Sequence, residues 1–363
     1  MLISSSVDSY IPPHFQEGRP IEHIILVCDV DGVIRYSTEA DADPRVIASI
    51  KELIATQKVD VAFISGTPIA QDPLLETWRR GNITLDKAVG SYFVPQLQEK
   101  KVTIYGALGG QRMAHECRVE LMEQYSLEVA FEVGKLLLYA FLEEVENDGT
   151  PQQKKFAKEL SVQIDALKLI NMEQSPIVTA DEFGEIVVKI RSELDQNYRL
   201  VSYGAFVESQ TSHPPWNTVR SLQWIRNQLH RPHLLISQLP DEQKQLATGV
   251  AHREDESFNF LMISKTNKSL TIRKHMQEKM LAHPDALVVT IGDTQVDFPM
   301  HQHAHLAYHV GKEHVWKNHN LSQCMIVRDS SGRDSQHIAG TLHVLDLLKK
   351  MIVNGKIPQL LNL

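Results

Sequence analysis

The chain of 363 residues is poor in cysteine and in positive charge, and each shortage removes a class of protein. Its three cysteines, Cys28, Cys117 and Cys324, are too few and too scattered for a disulfide framework, and no CxxC pair offers a structural zinc site. A reducing compartment is the default that follows. Lysine and arginine number 37 against 45 acidic residues, a net charge of −8, so the whole molecule presents no cationic field to nucleic acid or to an anionic membrane. Nowhere do eighteen apolar residues run without interruption, and the opening residues lack the basic stretch and long apolar core of a secretory signal. These absences lead to the expectation of a cytoplasmic protein with neither nucleic-acid nor membrane partner; export by another route and a protein partner stay open. There is no repeat of solenoid period and no low-complexity tract. The stretch Gly106–Gly110 has neither the GxGxxG spacing nor a GK[ST] ending, which excludes a dinucleotide fingerprint or P-loop there and leaves a hinge as its expected role.

What is present is a composition, 42% hydrophobic and 23% charged, that builds an ordinary globular core. Short apolar runs at residues 24–30, 59–64, 102–107 and 286–291, and a weaker one at 325–327, alternate with helical periodicity. Val46, Ile47, Ile50, Leu53 and Ile54 follow Asp43-Pro44 at helix spacing, and Ile338, Leu342, Leu345, Leu348 and Ile352 form a closing stripe. Runs apolar on both faces, alternating with helices, predict a parallel sheet covered on both sides. Between about Gly110 and Ser264 the rhythm changes. A helical stretch from Arg112 to Glu146 meets the breaker at residues 147–151, a second runs to about Leu169, and strand-like runs follow at 185–190, 200–207 and 258–263. The expected organisation is an N-terminal extension (1–20), a discontinuous Rossmann-like, doubly wound α/β core (21–110 and 265–363) and an inserted α+β domain (111–264).

Ligands of open parallel sheets bind outside the carboxyl ends of the strands. Three apolar runs here end in polar, glycine-flanked signatures: Asp29-Val30-Asp31-Gly32, Ser65-Gly66-Thr67 and Gly292-Asp293-Thr294-Gln295-Val296-Asp297. Lys268, in the stretch Asn267-Lys268-Ser269-Leu270, precedes the last of them, with Lys265 as its rival. Phosphate chemistry needs these residue types. Mg²⁺ takes hard oxygen ligands, which Asp29, Asp293 and Asp297 offer. An aspartate can attack phosphorus, and a second acid such as Asp31 can protonate the leaving oxygen and then activate water. Ser65 can donate to a phosphoryl oxygen, and a lysine is a compact cation for its charge. Taken singly, DxDG is also a common turn, and Ser65 or a lysine a common loop or helix-entry residue.

In this order the stretches CDVDGV, FISGT, NKSL and GDTQVDFPM resemble the four motifs of the haloacid dehalogenase superfamily of phosphohydrolases, in the branch of Cof-type and trehalose- and sucrose-phosphatase-like enzymes. The resemblance implies Asp29 as nucleophile and Mg²⁺ ligand. Asp31 becomes the acid/base whose backbone carbonyl also reaches the metal, and Ser65, Gly66 and Lys268 bind the phosphate. Asp293 and Asp297 complete the metal group, and the insert becomes a large α/β cap. Two positions depart from that branch, which often has Arg where Thr67 stands and Asn where Val296 stands. His301, His303 and His305 alternate, but the resemblance puts them on a helix, where that spacing spans no single face, so a polar surface without metal is expected. Arg112, Lys189 and Arg191 are the candidate cap contacts to substrate. The expected activity is Mg²⁺-dependent hydrolysis of a phosphate monoester of a small metabolite, such as a sugar phosphate, through an aspartyl-phosphate. The alternatives are a phosphoprotein phosphatase, a mutase with the same intermediate, or a non-catalytic binding protein on such a core.

Overall fold

Because β-branched residues dominate the first apolar run, it forms a fully buried strand, β1 (Ile24–Cys28), in the computed structural model of the chain. The structure describes residues 20–37, 40–69, 83–122, 127–166, 196–201, 204–210, 218–241, 244–253, 256–264, 266–311, 324–327 and 337–356. After β1 come helix α1 (Pro44–Ala55), β2 (Val59–Ile64), the short helices α2 (Leu85–Ala88) and α3 (Val94–Gln98), β3 (Val102–Gly106), β4 (Gln111–Met113) and β5 (Val119–Leu121). Helices α4 (Leu127–Asp148) and α5 (Pro151–Ala166) lead to β6 (Gln196–Val201) and β7 (Gly204–Gln210), then α6 (Thr218–Gln228), β8 (Gln245–Arg253) and β9 (Glu256–Ser264). The chain returns through α7 (Lys268–Met280), β10 (Leu287–Gly292), a helical turn α8 (Phe298–His301), β11 (Leu306–His309), β12 (Cys324–Ile326) and α9 (Ile338–Asn354).

The contacts divide the chain into two units. The first holds the stretch ending at Ile69, then Ile83–Glu120, then the stretch from Lys268, and the second holds Leu121–Asn267. An eight-stranded sheet runs in the order β12-β11-β10-β1-β2-β3-β4-β5, parallel from β12 to β3, with β4 antiparallel to β3. In β1, Ile24, Leu26 and Cys28 point to one face, into a core shared with Val46, Ile50 and Leu53 of α1 and Val344, Leu345 and Leu348 of α9. Ile25 and Val27 point to the other, with Ile272 of α7, Phe298 and Met300. Helices therefore cover both faces, and the doubly wound α/β class holds. Cys28 is fully buried in the first of these cores, a small apolar residue whose thiol desolvation drives its pKa far up. β1 pairs with β10 on one side and β2 on the other, so the chain winds outward from β1 in both directions and a crevice opens between the ends of β1 and β10.

α1 starts where Asp43 caps it, accepting from the Arg45 N–H, with Pro44 pre-set in its first turn. Val46, Ile47, Ile50, Leu53 and Ile54 are its buried stripe, as the spacing predicts. The second unit contains a four-stranded antiparallel sheet, β6-β7-β9-β8.

Several expectations are corrected. The helix expected from Arg112 begins only at Leu127, because residues 111–113 and 119–121 add two short strands to the first sheet. The run at 200–207 is two strands of a hairpin, and the run at 185–190 lies outside the described residues. Gly106–Gly110 is no hinge. Ala107, Leu108 and Gly109 form a buried turn pinned by Thr271 Oγ1 donating to the Leu108 carbonyl (2.9 Å), and a Cβ on Gly109, at φ +99°, would lie 2.0 Å from that hydroxyl. His301 and His305 are buried rather than on a surface. His301 Nδ1 meets Thr290 Oγ1 at 2.7 Å, and His305 Nδ1 accepts from the Val288 N–H at 2.8 Å.

His275, on α7, is fully buried with Nδ1 3.2 Å from the Tyr105 hydroxyl. Desolvation, helped by Lys279 and Arg112, pushes its pKa down to about 3. Below pH ~6.5 the unfolded chain binds a proton that the folded chain refuses, so the contribution of His275 is complete above that pH and is lost as pH falls. The variant His275→Gln should be less stable than the wild type at pH 7.5, and the gap should close by ~1.4 kcal/mol per pH unit below about 6.5. Urea denaturation at a series of pH values checks this, and parallel stability curves would refute it.

Candidate active site

Asp29 follows β1 directly, and its backbone N–H donates to the Ile291 carbonyl of β10 (2.9 Å), which sets it in the crevice between the two strands. Asp293 follows the last residue of β10, and Asp297 stands one short helical turn later. Ser65 follows β2 and Lys268 is the first residue of α7. All five are buried. The Nζ of Lys268 lies 2.7 Å from Asp29 Oδ1 and 2.5 Å from Asp297 Oδ1, which identifies it as the lysine of the constellation; Lys265 lies outside the described residues. Carboxylate oxygens of Asp29, Asp293 and Asp297 all fall within 4.8 Å of one another.

The local chain is shaped for this convergence. After β1 the N–H groups of Val33, Ile34 and Arg35 all turn back to the Val30 carbonyl, and Gly32 sits at φ +81°. A Cβ on Gly32 would lie 2.0 Å from Asp293 Oδ2, so only glycine lets the β1 turn approach that carboxylate. Gly66 is different: it is exposed, and its nearest neighbour would stand 3.8 Å from a Cβ, so its part in the site rests on its backbone alone.

Burial raises the pKa of Asp29 well above the carboxylate range; Lys268 opposes the shift, and Asp297, Asp293 and Asp31 add to it. Asp293 is pushed up to about 6, chiefly by burial. For Asp297 burial is outweighed by Lys268 and by three donors to Oδ2, the N–H groups of Asp293 and Thr294 and the Thr294 hydroxyl, and its pKa falls. Lys268 is held charged by Asp29 and Asp297 against its own desolvation.

Asp31 faces another way. Its carboxylate accepts from Arg35 Nε (2.7 Å), Ser65 Oγ (2.9 Å) and Thr67 Oγ1 (2.9 Å), and it is absent from the converging trio. Burial pushes its pKa up, but Arg35, Ser65 and Thr67 together bring it below the usual range. The expected metal role of Asp31 is therefore not one for its side chain, which is occupied by donors. Arg35 was not singled out in the sequence, although its i,i+4 spacing from Asp31 is visible there. It is fully buried and also donates to the Ile83 carbonyl (2.9 Å) and Thr67 Oγ1 (3.4 Å). His337 was missed as well. It precedes α9 at φ +54°, with Nδ1 donating to the Gly32 carbonyl (3.2 Å) and 3.6 Å from Asp293 Oδ2.

Arg112 is corrected: it stands on β4 of the first sheet, and its guanidinium binds both carboxylate oxygens of Glu278 at 2.8 Å. Lys189 and Arg191 lie outside the described residues. A second convergence, His23, Asp60 and His283, is also present, but Lys279 (3.0 Å) and Lys101 (3.3 Å) already neutralise Asp60.

The three carboxylates fit a hard divalent cation. Asp293 Oδ1 is buried without any hydrogen-bond partner, a costly state for an acid that a metal ligand bond would relieve. All donors in reach are oxygens of Asp29, Asp293 and Asp297, with no sulfur or free imidazole converging on them among the described residues.

No family model matches the chain, and no curated protein does. In architecture it is similar to solved haloacid dehalogenase-like hydrolases. One from Bacteroides thetaiotaomicron is 13% identical with a TM-score of 0.42, covering 90% of this chain and 99% of that one. One from B. subtilis is 12% identical with a TM-score of 0.44, covering 89% and 99%. An N-terminally truncated, IMP-bound IMP-nucleotidase of Plasmodium falciparum is 10% identical with a TM-score of 0.47, the match covering 82% of this chain and 66% of that truncated one.

The two glycines of the site should separate. Gly32→Ala is expected to lower the unfolding free energy by ~2 kcal/mol, from left-handed backbone strain and the displaced Asp293, and to weaken Mg²⁺ binding at least tenfold. Gly66→Ala should change stability by less than ~0.5 kcal/mol. Denaturant titration and calorimetric Mg²⁺ titration of both variants check the contrast, and equal behaviour of the two would contradict it.

Proposed function

We propose that the protein is a Mg²⁺-dependent phosphate monoester hydrolase acting on a small phosphorylated metabolite, such as a sugar phosphate, through phosphoryl transfer to Asp29. The observation that carries this reading is the buried convergence of Asp29, Asp293 and Asp297 around Lys268 in the crevice between β1 and β10. When bound by the three carboxylates, the metal supplies the positive charge that lets a phosphate dianion approach an aspartate.

The remaining steps belong to the chain. An Asp29 oxygen attacks phosphorus, the ester P–O bond breaks, and Asp31, which takes up a proton from solvent as the substrate binds, gives that proton to the leaving oxygen. Asp31 then takes a proton from the water that attacks the aspartyl-phosphate, which returns Asp29 and releases inorganic phosphate. Lys268 has three donors, two of them engaged with Asp29 and Asp297, and the third is available to a phosphoryl oxygen. In the resting site Ser65 Oγ donates to Asp31 Oδ2. A phosphate that draws this hydroxyl to itself removes one bond that holds Asp31 ionised and moves its pKa toward the value that leaving-group protonation requires.

None of these residues lies in the unit Leu121–Asn267, to which we assign selection of the leaving group. A phosphoprotein substrate is the reading to exclude, by comparing kcat/KM on phosphopeptides with that on sugar phosphates.

An aryl phosphate assay with Mg²⁺ tests the chemistry. Activity should vanish with chelator, and Asp29→Asn, nearly isosteric but far less nucleophilic, should abolish turnover in a folded protein. Retention of more than a tenth of wild-type kcat, a barrier change under ~1.4 kcal/mol, would reject Asp29 as nucleophile. Asp293→Asn should weaken Mg²⁺ binding and lower kcat together, and a variant that binds and turns over normally would remove Asp293 from the metal group.

A further inference from the structure

The second unit carries a half-open cavity of about 460 Å³, a volume ordinary for small-molecule sites, and no part of the reaction above uses it. One wall is a single stripe of α4, from Glu132 through Leu136, Tyr139 and Glu143 to Glu146, and the facing wall comes from α5, α6 and the segment after α6.

The lining is unevenly satisfied. Gln228, only 7% exposed, lines the cavity, and among the described residues its carboxamide has no partner. Neither of its polar atoms is sealed from solvent, so the amide opens onto the cavity, where water or a ligand can bond to it. Among the described residues of the lining, four carboxylates face two cations. Glu132 already accepts from the Leu235 N–H (2.6 Å) and Asp165 from the Tyr139 hydroxyl. The half-buried Glu143 and the exposed Glu146 have no hydrogen bond or ion pair among the described residues, and neither does the Arg231 side chain, so two unanswered carboxylates stand against one unanswered cation and the balance is negative. Among the described residues these two acids belong to no group of three ligand atoms within 4.8 Å, which gives a metal ion no support there. Between them and Gln228 lie apolar and aromatic surfaces, Leu136 and Leu142 on one side and the Trp224 ring on the other. A ligand that meets both features has an ammonium group for Glu143, attracted also by the Trp224 face, and methylenes for the leucines.

We propose that this cavity is a binding site for a linear aliphatic amine of the polyamine class, held by Glu143, Gln228 and Trp224. The site lies wholly within the second unit, and the proposal does not depend on the phosphatase reading.

Calorimetric titration of the full chain with spermidine, in chelator, tests it. The expected result is saturable binding of one spermidine per chain, weakened at least tenfold by Glu143→Gln and by Trp224→Ala. Gln228→Glu, which adds a carboxylate without changing size, should tighten binding at least threefold and keeps the test usable if either of the other variants fails to fold. Glu159→Gln, an exposed position on α5 outside the cavity, should leave the affinity unchanged. Absence of saturable binding overturns the proposal. Equal weakening by Glu159→Gln also does, because it marks diffuse attraction to an acidic surface, and so does loss of binding in Asp293→Asn, which would locate spermidine at the carboxylate trio.

Discussion

One buried cation holds the site together. Lys268 lies between Asp29 and Asp297, and without it three aspartates would share a desolvated crevice with no positive charge. Such a cluster would neutralise itself by taking up protons, and the raised pKa of Asp29 and Asp293 shows that tendency even with the lysine present. The lysine also ties three distant pieces of chain, the end of β1, the start of α7 and the turn after β10. Forming the sheet and assembling the site are thus one event, and the second unit, inserted between β5 and α7, has to fold without pulling that lysine out of place.

The two acids of the first motif are handled in opposite ways two residues apart. Asp29 is surrounded by other carboxylates and offset by one lysine, which leaves it dependent on further positive charge. Asp31 is surrounded by donors, Arg35, Ser65 and Thr67, and needs none. One group is therefore completed by what binds, while the other is complete until something binds and takes a donor away. A pleat would put residues two apart on the same side, so the division comes from the turn after β1, where Val30 is buried in the apolar core, the N–H groups of Val33, Ile34 and Arg35 fold back onto its carbonyl, and Arg35, Ser65 and Thr67 draw the Asp31 carboxylate to themselves.

The parts of the fold and site that were legible in the sequence are those where chemistry or periodicity is concentrated in few residues. Asp29, Ser65, Asp293 and Asp297 follow apolar runs that form buried strands, and α1 and α9 follow their stripes. What escaped is polar or short. β4 reads Gln-Arg-Met, with no alternation to set it apart from a helix start, and β11 ends in a histidine, His309, that stacks on Phe298, a residue eleven positions earlier in another element. His301 and His305 look solvated because their partners, Thr290 and the Val288 N–H, are on β10 and carry no local signal. Arg35 hides for the same reason: its carbonyl partner Ile83 is 48 residues away.

Arg35 also limits how this sequence can vary. Its guanidinium spans from Asp31 to Thr67, so it occupies the space beside Asp31 that a long cationic side chain at position 67 would need. Asp31 has charge enough for one buried guanidinium, and a second beside it would be left without a counter-charge. The residues at 35 and 67 are in this sense one choice made at two positions. A lineage that moves the cation from one strand end to the other must exchange both residues, because either single change leaves the acid with two cations or none.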